Sequence, residues 1–247
     1  MRIISWNING ITRHYDELIE LANRYLPDII CLQKVKSKDG IDEFPLYGFR
    51  PFWRMCDYGQ YSGVATYYHK DMTAHSLDSL SLSDDGHLQA LEFSEFTLLN
   101  TYVPYSNKNV PGAIERRKQW NKLYIPFVTE CANQKAVVIC GDLNIVHKPI
   151  DAVDGVNIKS SGNYYKWEHE DFDRLLAEAN LVDSLRELQP DTPIFSYFFQ
   201  HKHKTDPRYG WRLDYALVSR PLLPKVTIAD ILDFGTAPSK PIILDFD

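Results

Sequence analysis

Two apolar runs joined by one amphipathic stretch open the chain, and no other feature restricts the fold so much. Arg2-Ile3-Ile4-Ser5-Trp6 has the character of a central strand and runs into Asn7-Ile8-Asn9-Gly10. From about Ile11 to Leu26, Tyr15, Leu18, Ala22 and Tyr25 or Leu26 recur at helical spacing, and Pro27 closes the segment. Asp28-Ile29-Ile30-Cys31-Leu32-Gln33 is a second buried strand with Lys34 just past its end. Strand, helix and strand of these lengths form a parallel βαβ unit, which brings Asn7 and Lys34 to one C-terminal sheet edge. That edge is where α/β sheets keep their sites.

A third run, Ala136-Val137-Val138-Ile139-Cys140, ends at Gly141-Asp142-Leu143-Asn144 and delivers a carboxylate and an amide to a sheet edge. The pair suits phosphate-transfer chemistry, since a carboxylate polarises or deprotonates a water and an amide holds an oxygen. In isolation the same four residues equally describe a strand-end Asx turn.

Between these runs the expected strands are Phe49–Arg54, Ser62–Tyr68, Leu88–Phe93 and Thr97–Val103, with turn residues at Asp84-Asp85-Gly86. Tyr102 precedes Pro104 at a strand end, where its hydroxyl is expected to be free; simple packing would also explain it. A helix is expected from about Gly112 to Ala132, kinked or split at Pro126, because proline inside a helix costs about 3 kcal/mol. Residues 152–167 read as irregular, Glu168–Asn180 as a helix, Ile194–Phe199 as a strand and 201–208 as a basic loop. Trp211 to Ser219 alternates as a strand, and Asp214 within it is a carboxylate among large apolar residues that needs a partner. Pro241–Phe246 is a closing strand. Helix-separated strands at both ends and hairpin-like strands between them fit one α/β domain over residues 1–247, a four-layer α/β/β/α sandwich of two mixed sheets flanked by helices.

Length and composition permit a single domain of this kind: 247 residues are enough for a large core. No window approaches the roughly 20 apolar residues of a membrane span, and the N-terminus lacks a signal-peptide layout, so no membrane partner and a cytoplasmic location are expected. Cys31, Cys56, Cys131 and Cys140 are far apart, which favours buried free thiols over a disulfide or zinc framework. A formal charge of −6 argues against nucleic acid as a partner. Local cations soften that objection: Arg116-Arg117-Lys118 with Lys122, and His201-Lys202-His203-Lys204 with Arg208, form either a basic face or a solvated surface.

Six motifs occur in an order that resembles one family: Trp6-Asn7-Ile8-Asn9-Gly10, Asp28–Gln33, Tyr61-Ser62-Gly63-Val64-Ala65, Thr101-Tyr102-Val103-Pro104, Cys140–Asn144 with His147 and Ile150-Asp151, and Gly210-Trp211-Arg212-Leu213-Asp214-Tyr215. The chain resembles the exonuclease III and apurinic/apyrimidinic endonuclease branch of the endonuclease/exonuclease/phosphatase superfamily along its whole length. The resemblance implies cleavage of duplex DNA 5′ to abasic sites and trimming of 3′ ends with magnesium or manganese; a single-domain monomer is the default expectation. It makes Asn7 a metal-site residue, Tyr102 a phosphate-contacting hydroxyl, Asp142 the residue that positions or deprotonates water, and Asn144 its neighbouring amide. Asp214 becomes the carboxylate paired with a histidine, and Trp211 part of the abasic-sugar pocket. Arg116, Arg212, Lys202 and Lys204 are the expected DNA contacts, with Trp211.

Two departures touch catalysis. Where the family has its glutamate metal ligand, this chain has Lys34, and an ammonium cannot coordinate a cation. Lys34 is instead expected to pair with Asp142 or Asp214, filling the metal position with a fixed charge. The family's Asp-His pair is also missing: it is deleted between Ser239 and Lys240, or replaced by Pro238 and Ser239. Loss of one acid/base group typically lowers rate about 10²- to 10⁴-fold. The expectation is therefore a DNA-repair nuclease of this type, catalytically impaired or inactive. The alternative is a family member that kept the groove only to bind nucleic acid or protein. A phosphodiesterase or phosphatase of small molecules is a third reading, and the Trp211–Tyr215 motif argues against it.

Overall fold

The computed structural model describes residues 1–37, 43–55, 63–77, 86–153, 162–201 and 204–247, and side chains outside 199–209. In chain order the N-terminal half runs β1 (Arg2–Asn7), α1 (Ile11–Tyr25), β2 (Ile29–Gln33), β3 (Phe49–Met55), β4 (Gly63–His69), β5 (His75–Ser76), β6 (Leu88–Glu92) and β7 (Thr97–Tyr102). There follow α2 (Ala113–Gln134), β8 (Val137–Asp142), α3 (Lys166–Glu178), β9 (Leu181–Asp183) and α4 (Ser184–Leu188). The chain closes with β10 (Tyr197–His201), β11 (Lys204–Trp211), β12 (Asp214–Ser219), β13 (Val226–Ile231) and β14 (Ile242–Phe246). One six-stranded sheet has the order β13-β14-β1-β2-β4-β3, the other β5-β6-β7-β8-β12-β9, and β10 with β11 forms a separate ribbon.

The alternation of side chains sets the layers. Ile3, Cys31 and Leu244 of the first sheet meet Leu98, Val138, Cys140, Ala216 and Val218 of the second in one buried cluster. Their neighbours Ile4, Trp6, Ile30 and Leu32 face the other way and pack with Ile11, Leu18 and Leu21 of α1. Val137, Ile139 and Leu217 face Trp120, Tyr124 and Val128 of α2 and Phe172 and Leu175 of α3. Helix, sheet, sheet and helix stack as expected, because period-2 strands buried on both faces need cover on both.

β1 and β2 are parallel, with Asn7 opposite Gln33, so the opening βαβ unit forms as its spacing requires. Pro126 does not split α2, which runs as one helix from Ala113 to Gln134. It lies on the exposed face of the helix, while Trp120, Tyr124, Ile125 and Val128 stay buried. The stretch 211–219 is not one strand: Trp211 ends β11, and Arg212 and Leu213 break the pattern before β12. The expected basic loop at 201–208 is largely β11, paired antiparallel with a β10 that begins at Tyr197 rather than Ile194. β6 and β7 pair antiparallel and are closed by residues 93–96, where Phe93 N–H donates to Phe96 O. Residues 84 and 85 of the expected turn lie outside the described residues, as do Cys56 and 154–161 of the irregular stretch. Cys31, Cys131 and Cys140 are buried free thiols. Among the described residues no helix is long and apolar enough to cross a membrane.

Candidate active site at the end of the inter-sheet layer

The inter-sheet layer changes character along its length. Beyond the apolar cluster, the same inward-facing register positions carry Ser5, Gln33, Thr66, Gln89 and Asn100, all buried. Gln33 Nε2 donates to Ser5 Oγ at 2.9 Å and to Asn100 Oδ1 at 2.8 Å, and Thr66 Oγ1 donates to Gln89 Oε1 at 2.7 Å. This amide network spans both sheets, because a buried polar group without a partner is expensive. One step further along the same positions come Asn7, Tyr102, Asp142 and Asp214.

Strand register brings them together. Tyr102 lies opposite Asp142 in the parallel pair β7–β8, and Asp214 lies opposite Asp142 in the antiparallel pair β8–β12. Gly141 permits the close approach of β7: a Cβ there would stand 1.9 Å from Thr101 O. On the first sheet, Ile8 N–H donates to Gln33 O at 3.1 Å and Ile11 N–H to Val35 O at 2.8 Å, which ties the loop after Asn7 to the loop carrying Lys34. Lys34 leaves β2 with a left-handed φ of 51°.

Asp142 is the centre. Asn7 Nδ2 donates to its Oδ2 at 2.7 Å, and Asn144 N–H donates to its Oδ1 at 3.0 Å. Burial pushes its carboxyl above the usual range, while Lys34, the Asn144 N–H, the Asn7 amide and Arg117 pull it back. Lys34 Nζ stands 3.8 Å from Asp142 Oδ2 and 4.7 Å from the Tyr102 ring centroid. Burial works against the Lys34 charge, but the Tyr102 oxygen and the Asp142 carboxylate outweigh it, and the ammonium is held above the ordinary lysine value. The Tyr102 hydroxyl is not free as expected. It is buried against Lys34 and Asn144, and its pKa is raised by burial. The Tyr102 ring also stacks on His87, with centroids 4.9 Å apart.

Asp214 has a partner, though not an imidazole. Ser196 Oγ donates to Asp214 Oδ2 at 2.6 Å and accepts from the backbone N–H groups of Leu213 and Asp214 at 3.0 Å each. Asp214 Oδ1 is buried with no hydrogen-bond partner among the described residues, as is Asn7 Oδ1. Burial, then repulsion from Asp142, raises the Asp214 carboxyl well above its usual range. His147 serves elsewhere: its Nε2 is 2.9 Å from Asp173 Oδ1. The Ser239–Lys240 junction, where the resemblance calls for an Asp-His pair, is closed by packing, with Trp6 Nε1 donating to Ser239 O at 2.9 Å and Lys240 N–H to Ser196 O at 2.6 Å.

Other expected site residues are placed differently. Asn144, with φ 48°, spends its side-chain amide on Val103 O at 2.7 Å, so it braces the loop. Arg212 is not a DNA contact. It is fully buried, with Nε donating to Asp151 Oδ1 at 2.8 Å and Nη2 to Asp183 Oδ2 at 2.6 Å. A guanidinium placed between two buried carboxylates is a core element. Trp211 is buried on Val146, Ala152 and Leu213, with Tyr164 and Tyr197 packed outside it, so it backs a wall that the tyrosines face. Arg116 is exposed as a DNA contact must be. Lys202 lies outside the described residues, and Lys204 opens β11 with its side chain outside them.

Three participants were missed. Arg117, next to Arg116, turns inward and donates to Pro104 O, Asn144 O and Leu143 O at 3.0, 3.3 and 3.1 Å, clamping both site loops. Its place in the helical stripe Ala113, Arg117, Trp120, Tyr124 and Val128 was the available signal. Lys36, with φ 49°, donates from Nζ to Asn9 Oδ1 at 2.6 Å. Burial and the Lys34 charge lower its pKa, so two ammonium groups share one neighbourhood. Ser196 carried no local signal.

The donors do not suit a divalent cation. Lys34 stands at the position expected of a ligand, and among the described residues no group of three or more His, Cys, Asp or Glu side chains gathers to hold an ion. Like charges about 4 Å apart cost on the order of 4 kcal/mol per unit pair at an effective dielectric near 20, and a divalent ion doubles the figure.

A four-layer sandwich with amides, carboxylates and a tyrosine at one end of its inter-sheet layer defines the class. The endonuclease/exonuclease/phosphatase family pattern matches residues 4–235, and the chain belongs to this family. It is 30% identical over 237 residues to an exodeoxyribonuclease of Bacillus subtilis, covering 94% of this chain and 93% of that one. It is 34% identical over 241 residues to recombination repair protein 1 of Drosophila melanogaster, covering 94% of this chain but only 35% of the fly protein. Its fold superposes on an AP endonuclease from Leishmania major with a TM-score of 0.88 at 21% identity, over 98% of this chain and 86% of that one.

Proposed function

We propose that the chain is a DNA-repair nuclease of the exonuclease III and AP endonuclease type that engages duplex DNA at abasic sites or 3′ ends as a monomer, with its cleavage step strongly impaired. The names of its relatives support the DNA substrate. One observation carries the impairment: the Lys34 ammonium, 3.8 Å from Asp142 Oδ2, where the family resemblance calls for a magnesium or manganese ligand.

Each residue retains part of a hydrolytic arrangement. Asp142, fixed by Asn7 and Asn144, is aimed to orient a water. Tyr102 sits beside it to meet a phosphate oxygen. Two things are weakened. Lys34 offers a single positive charge to a phosphate that gains charge as it is attacked, and Asp214 leans on the Ser196 hydroxyl, which does not titrate near neutral pH as an imidazole does.

The test is incision of an abasic duplex in magnesium, comparing this chain with a restored form carrying Lys34→Glu and Asp-His inserted before Lys240. Restoration is expected to raise cutting by about 10²-fold or more. Native cutting at ordinary enzymatic rates would refute the role given to Lys34. The second reading, a groove kept only for binding, is favoured by the same ammonium. It requires equal affinity for abasic and intact duplex and no gain from restoration.

A further inference from the structure

We propose that this end of the inter-sheet layer is a metal-independent phosphate site, in which the Lys34 ammonium over the Tyr102 ring and the Lys36 ammonium tethered to Asn9 receive one phosphate group.

Asp142 does not need Lys34. Its two oxygens already accept from Asn7 Nδ2 and Asn144 N–H at 2.7 and 3.0 Å. Lys34 Nζ stays 3.8 Å away, beyond hydrogen-bond range, so its N–H donors are not spent on that carboxylate; one of them meets the Tyr102 hydroxyl oxygen instead. The Lys34 side chain is 27% exposed, enough to meet an incoming oxygen. Two residues on, Lys36 is half-buried, and among the described residues its ammonium donates to Asn9 Oδ1 at 2.6 Å, one of its three N–H donors. Lys34 and Lys36 both adopt left-handed backbone, at φ 51° and 49°, which loop-forming lysines rarely do. The turn is locked by Val35, whose N–H donates to Gly63 O at 3.1 Å and whose carbonyl accepts from Ile11 N–H at 2.8 Å. Two ammonium groups on a rigid loop beside a tyrosine favour an oxyanion, because charge-assisted N–H···O bonds to phosphate are the strong ones. A site that resembles a cation centre in the family has thus changed the sign of the ligand it attracts.

The nature of the phosphate carrier rests on the DNA reading above; the phosphate site itself does not. The test uses the full chain with EDTA present throughout. Inorganic phosphate is titrated calorimetrically into the native protein and into Lys34→Gln, Lys36→Gln and Lys34→Arg, with melting curves to verify folding. Duplexes ending in 3′-phosphate or 3′-hydroxyl are titrated by fluorescence anisotropy.

Phosphate is expected to bind the native chain, weaken about tenfold or more in Lys34→Gln, weaken less in Lys36→Gln and recover in Lys34→Arg. Preference for the 3′-phosphate duplex assigns a monoester, and equal binding that still falls in Lys34→Gln assigns a backbone diester. Phosphate binding that is absent, or unchanged in a folded Lys34→Gln, overturns the proposal. Duplex binding indifferent to Lys34 overturns it while sparing the DNA reading. Phosphate binding through Lys34 without duplex binding does the reverse.

Discussion

Two of the buried clusters of charge are built on opposite principles. In the first, Asp151 is wholly buried and receives Arg186 Nη2 at 2.5 Å and Arg212 Nε at 2.8 Å, while Arg212 Nη2 reaches Asp183 Oδ2 at 2.6 Å. The two guanidinium groups outweigh burial and hold the Asp151 carboxyl below its usual range. In the second, Asp142 and Asp214 face each other across β8 and β12 with one lysine at 3.8 Å and, among the described residues, an oxygen of Asp214 unpartnered. Both carboxyls are raised. A cluster that closes on itself holds a fold together; one that leaves donors and acceptors open holds a place for something else.

The largest expected effect breaks the closed cluster. Arg212→Ala leaves Asp151 and Asp183 buried without it and is expected to lower unfolding free energy by about 3–5 kcal/mol in urea titrations. Lys34→Ala, also removing a cation beside a carboxylate, should cost less than about 1 kcal/mol, because its pair is long and partly exposed. Equal losses in the two variants would erase the contrast.

Next in size, Lys34→Glu places a third carboxylate beside Asp142 and Asp214. The variant should melt lower than the native chain in EDTA and recover when magnesium is added, whereas the native melting temperature should not respond to magnesium. A magnesium response of the native protein would count against the position assigned to Lys34.

The smallest effect concerns pH. Asp214 is raised in the fold, so the folded state holds its proton more tightly than the unfolded chain does. Its contribution is fully present below the unfolded carboxylate value of about 4 and is lost as pH rises through the folded value. Asp214→Asn removes that loss, so its melting temperature relative to native should be near zero difference at low pH and increase by about 2–4 °C towards alkaline pH. A difference that does not vary with pH would show that Asp214 titrates normally.

What the sequence disclosed follows the same division. The layers and the placement of Asn7, Lys34, Tyr102, Asp142 and Asp214 were legible because period-2 strands and a βαβ unit fix which residues reach an edge. Whether a charged residue points in or out was not. Arg116 and Arg117 are adjacent and chemically alike, yet one is exposed and the other clamps Pro104, Leu143 and Asn144 from within. The burial of Arg212 is not legible in the sequence, because its carboxylate partners, Asp151 and Asp183, are distant along the chain and meet it only through the packing of β9 and the loop after β8. Ser196 was invisible for the same reason: a lone serine becomes the partner of Asp214 only through long-range pairing of its loop.

The central claim is that a fixed ammonium stands where the family resemblance calls for a metal ligand. Manganese binding followed by electron paramagnetic resonance, on the native chain and on Lys34→Glu side by side, tests it most directly. The account predicts no site-bound ion in the native protein and one per chain in the variant; a tightly bound ion in the native protein, with Lys34 intact, would contradict it.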